Sequence, residues 1–115
     1  FTYIDDLVDG ITGLAEAVPG TEPVGEMDSL SPVAPFRVVN IGASAPTQLM
    51  DFITAIETAC GREAVKVMHE MQPGDVPATW ADISLIQALT GYAPKVDLQD
   101  GIQRFVDWYR DYYAV

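Results

Sequence analysis

Between Asp5 and Val18 the apolar residues Leu7, Ile11, Leu14 and Val18 recur every three or four positions. That spacing puts one side of a helix against a core, and Asp5 or Asp6 can cap its start. Gly10 and Gly13 weaken the helix, by up to about 1 kcal/mol each relative to alanine, and suggest close packing against a neighbouring backbone. A second helical rhythm, Leu49, Phe52, Ile53, Ile56 and Cys60, starts near Pro46 and stops at Gly61. A third, short helix begins at Asp82, turns Leu85, Ile86 and Leu89 inward and ends at Gly91. The last opens at Asp97, with Asp100 three residues on as an analogue of a capping box. Its apolar face reads Leu98, Ile102, Phe105, Val106 and Tyr109.

Three other stretches read as strands: Phe1–Ile4, Phe36–Ile41 and Ala64–Met71. Residues 19–35 are rich in Pro, Gly, Ser and acids and show no periodicity. A loop of that length inside a compact domain is commonly functional or disordered. The expected fold class is α/β, or α+β for this chain alone: a small mixed sheet of two or three strands with about four helices. Phe1 is not a methionine and enters at once into a strand pattern, so the chain is expected to be cut from something longer.

Composition narrows the function. Seventeen acids against six bases give a net charge of -11. The bases are scattered, whereas nucleic acids and anionic membrane surfaces require clustered Lys and Arg. Both partner classes are rejected. The lone cysteine, Cys60, excludes an internal disulfide and reads as a buried, inert thiol. No apolar run approaches a membrane span.

Several chemistries lack their residues. The glycines never form the G-x-G-x-x-G turn that cradles a dinucleotide, and Tyr92 precedes Lys95 by three places rather than the four of a Tyr-x-x-x-Lys base. One His and one Cys do not supply a metal site. His69 reads as a strand residue, Asp5 and Asp6 as a helix N-terminus rather than paired catalytic acids. The stripe Phe105, Tyr109 and Tyr112 reads as core, and Trp80 as packing.

Three segments carry a resemblance. Phe1-Thr2-Tyr3-Ile4-Asp5-Asp6 with Gly10-Ile11, the turn Met71 to Thr79 with Ala81-Asp82, and the tail Gly91-Tyr92-Ala93-Pro94 with Gly101-Ile102 and Phe105 to Tyr109 resemble, in order and spacing, the C-terminal portion of extended short-chain dehydrogenases/reductases. Within that family Gln72 to Thr79 looks most like the UDP-glucuronate 4-epimerases. Ala45 departs from the Ser or Thr that relatives often carry before Pro46.

The resemblance implies that residues 1–115 are a C-terminal substrate-binding domain, with the N-terminal Rossmann domain, its NAD and its catalytic Tyr/Lys pair lying outside the chain. In the intact enzyme NAD would take a hydride from C4 of the UDP-sugar and return it to the other face; the fragment alone would be inactive. It further implies a ribose contact for Asp75, whose carboxylate can accept two hydroxyl bonds, and a nucleotide contact for Gln72. Without the resemblance both are turn residues. A cytoplasmic location is expected, as is self-association of the exposed fragment, by strand exchange at Phe1–Ile4. The alternatives are a stand-alone interaction module on this fold, or the same domain of a UDP-galactose 4-epimerase or nucleotide-sugar dehydratase.

Overall fold

A computed structural model describes all 115 residues. It contains four helices, α1 (Ile4–Glu16), α2 (Leu49–Cys60), α3 (Ser84–Thr90) and α4 (Leu98–Tyr113), and no strand. The expected mixed sheet is therefore absent, and the chain is all-helical. A period-two pattern marks a backbone able to join a sheet, but a strand exists only where a second backbone completes the ladder. Along Phe36–Ile41 a second backbone meets the chain at one bond only, the Ser31 N–H donating to the Phe36 carbonyl at 2.9 Å, and at Val38 no backbone partner follows. The Ser29 hydroxyl takes its place, donating to the Val38 carbonyl at 2.6 Å and accepting the Val38 N–H at 2.9 Å. Ala64–Met71 is exposed throughout, with Val65 96% and Val67 73% accessible. Phe1–Tyr3 has no regular structure, and Ile4 already opens α1.

The chain divides into two compact units, each made of two separated stretches. The first comprises Phe1–Ala45 and Trp80–Lys95 and pairs α1 with α3. Its core is Ile83, Ile86 and Tyr92, with Leu14, Val39, Ile41 and Ala81 against them. The inward face of α1 differs from the one the hydrophobic rhythm suggests. Asp6 and Gly10 are buried, while Ile11 is 52% and Val18 77% exposed. Gly10 is the reason α1 can sit so close. A methyl there would lie 2.8 Å from Ile41 Cγ2 and 3.3 Å from both Ile86 Cδ1 and Tyr92 Cε2. Gly13 faces Thr90 in the same way. Both glycines thus accommodate side chains, not another backbone.

Asp5 and Asp6 lie in the first turn of α1, and the N-cap position itself is taken by Tyr3. Asp6, 3% exposed, accepts the Lys95 N–H at 3.0 Å and so holds the end of the unit to its beginning. Tyr92 donates its buried hydroxyl to the Gly42 carbonyl at 3.2 Å. Burial, and secondarily the charges of Asp6 and Asp9, push its pKa up, which keeps it a neutral donor.

Residues 19–35 are organised around one carboxylate. Asp28 accepts Arg37 Nε at 2.9 Å and Nη2 at 3.0 Å, together with the N–H groups of Val24 and Leu30. The Asp28 and Arg37 side chains are almost wholly enclosed. The Arg37 hydrogen bonds foremost, opposed by desolvation and aided by the Val24 and Leu30 amides, hold Asp28 below its ordinary pKa of 3.8.

The second unit, Pro46–Thr79 and Val96–Val115, pairs α2 with α4. Ala55, Ala59, Ile102 and Val106 form its core, flanked by Phe52, Ile56, Cys60 and Leu98. Leu49 is 62% exposed, so the α2 face centres on two alanines that the sequence reading passed over. Cys60 is half-buried against this core. Gly61, at φ +68°, ends α2, and Arg110 of α4 donates to the Cys60 carbonyl at 2.8 Å, placing a cation at that helix C-terminus. Asp97 caps α4 by accepting the Asp100 N–H at 2.9 Å.

Two outcomes test this packing. Gly10→Ala gains helix propensity of about 1 kcal/mol but overpacks the core by about 1–3 kcal/mol, so it destabilises the first unit by roughly 1 kcal/mol. Urea unfolding should show this, with relief when Ile41 is also shortened to Ala. For Asp28 the native carboxyl binds its proton less readily than the unfolded one. Its contribution is complete above the ordinary aspartate pKa and lost as pH falls through the lower native value. Limited proteolysis within 19–35 should accelerate only in that acid window, and at neutral pH in Asp28→Asn.

Candidate functional site

The turn predicted to carry nucleotide contacts is present in the second unit. The Asp75 N–H donates to the Gln72 carbonyl at 3.1 Å, closing a four-residue turn over Pro73 and Gly74. Gly74 adopts φ +95°, and proline at the second position with a left-handed glycine at the third is the signature of a type II turn. Gln72 and Asp75 therefore stand at the two ends of one turn, both exposed. Gln72 Nε2 donates back to the Glu70 carbonyl at 3.0 Å.

The stretch leading to the turn is tied to α2. Glu57 accepts the Ala64 N–H at 2.7 Å and pairs with Lys66 through the same oxygen. The Lys66 hydrogen bond first, then the Ala64 amide, lowers the Glu57 pKa, opposed by desolvation and aided by the Lys66 charge. His69 is exposed on this stretch, between the Glu57 tie and the turn.

Other sequence expectations resolve differently. Trp80 is 68% exposed and does not pack as expected. Phe105, Tyr109 and Tyr112 are 56%, 45% and 69% exposed, so that stripe is surface rather than core. The reason is angular: Leu98, Ile102 and Val106 follow one another at four-residue steps and occupy the face toward α2, and the aromatic rings lie on a second face beside it.

The first unit contains a groove of about 400 Å³ lined by apolar groups of Leu14, Pro19, Pro35, Phe36 and Leu89, with Arg37 beside them. The Arg37 charge is already taken by Asp28, so the groove has no free acid or base. Sequence reasoning had no signal for it, because its walls come from α1, the 19–35 loop and α3. No cluster of three or more His, Cys, Asp or Glu is placed to hold a metal. No helix is long and apolar enough to cross a membrane.

The glycines also do not fit a dinucleotide. Gly10 and Gly13 face side chains within α1, Gly42 meets Ala81, and Gly61 and Gly91 terminate helices. None opens a helix N-terminus to a pyrophosphate.

No protein-family model matches the chain. Its fold nevertheless has a close counterpart in a solved structure. The crystal structure of UDP-glucuronic acid 4-epimerase from Bacillus cereus, in complex with UDP-glucuronic acid and NAD, superposes with a TM-score of 0.73 at 30% identity, over 98% of this chain and 32% of that one. Over nearly its whole length the chain is thus similar in fold to about a third of a UDP-glucuronic acid 4-epimerase.

The sequence relatives are more specific. The chain is 48% identical over 117 aligned residues to a probable UDP-glucuronate 4-epimerase of Rhizobium meliloti (strain 1021), covering 98% of this chain and 34% of the relative. It is 39% identical over 115 residues to UDP-glucuronate 4-epimerase 4 of Arabidopsis thaliana, covering 99% of this chain and 26% of that protein. The chain thus spans about a third, or less, of the length of the curated relatives it matches.

The turn geometry gives a direct test. Gly74→Ala forces an L-residue into the left-handed region at a cost of about 1–2 kcal/mol, enough to open the turn about tenfold more often. Amide exchange at Asp75 should quicken by about that factor while the melting of α2 and α4 is unchanged.

Proposed function

We propose that the chain is the substrate-side part of an NAD-dependent UDP-glucuronate 4-epimerase, in which the turn from Gln72 to Asp75 contacts the nucleotide. Similarity to such epimerases along 98% of the chain supports this reading. The reaction interconverts UDP-glucuronate and UDP-galacturonate by oxidation at C4 and re-reduction from the opposite face. NAD would supply the hydride chemistry, held by residues outside these 115. A nucleotide-binding Rossmann portion is accordingly the partner within the intact enzyme, and a cytoplasmic location belongs to the same reading.

The chemistry available here is recognition. Asp75 offers two carboxylate oxygens to a ribose diol, and Gln72 offers an amide that adds no charge beside a diphosphate. The single turn that carries both sets their separation, so they can act as one clamp on the nucleotide. Residues 1–115 form one substrate-binding domain in function, although their contacts gather in two compact units.

In an intact epimerase carrying this sequence, Asp75→Ala should raise KM for UDP-glucuronate about tenfold to a hundredfold, the range for losing hydrogen bonds to a charged group, with kcat nearly unchanged. Gln72→Ala should act in the same direction and less strongly. Steady-state kinetics following UDP-galacturonate decides the matter. An intact enzyme that turns over UDP-glucuronate with an unaltered KM in both variants would remove the turn from the site.

A further inference from the structure

We draw no further inference here: the strongest candidate, the apolar groove of the first unit walled by α1, the 19–35 stretch and α3, offers no free charge once Arg37 is paired with Asp28, and nothing in the structure shows what covers it.

Discussion

Each compact unit depends on a helix contact made with small residues. In the first, Gly10 lets α1 approach Ile41 more closely than a β-carbon would permit, with Ile86 and Tyr92 in tight contact beside it. In the second, Ala55 and Ala59 are the α2 residues that meet Ile102 and Val106 of α4. Interiors pack at near-crystalline density, so the distance between two helix axes is set by the smallest side chains at their contact. The larger apolar residues of α1 and α2, such as Ile11 and Leu49, are left half-exposed or more as a consequence.

Around these contacts the irregular stretches are ordered by single polar groups that stand in for missing ladders. Asp28 gathers two backbone amides and Arg37, and the Ser29 hydroxyl serves both backbone groups of Val38. Asp6 secures Lys95 across 89 positions of sequence, and Glu57 secures Ala64. No buried side-chain nitrogen or oxygen lacks a partner. A chain with few regular elements can thereby keep long loops in place, because each carboxylate satisfies amides that would otherwise need another strand.

The functional reading rests on a different kind of order. The turn from Gln72 to Asp75 is local: proline and glycine at its centre set its shape wherever the neighbouring stretches lie. Its side chains are exposed and free of the packing that occupies Asp6 or Asp28. That availability suits a recognition role in a larger enzyme, and the relatives matched along nearly the whole chain are three to four times longer, since the chain covers 34% and 26% of them.

The elements encoded by short-range rules were legible. Gly61 and Gly91 end their helices, Asp97 caps α4, and the Pro73–Gly74 turn forms, because each depends on dihedral preferences or hydrogen bonds within a few residues. The family resemblance was legible for the same reason, carried by short motifs in order. Strands were not, since Phe36–Ile41 and Ala64–Met71 show an alternation that needs a second backbone no local pattern can supply. Nor were the true inward faces. Hydrophobicity alone selects Ile11, Val18 and Phe105, whereas tertiary packing selects Gly10, Ala55 and Ala59, because close approach rewards the absence of a side chain. Sequence by itself determined where helices stop, where the Pro73–Gly74 turn lies and which enzymes the chain resembles. Tertiary structure decided which faces are buried, which carboxylates are structural, and that the aromatic face of α4 stays exposed, because packing against α2 uses the neighbouring face.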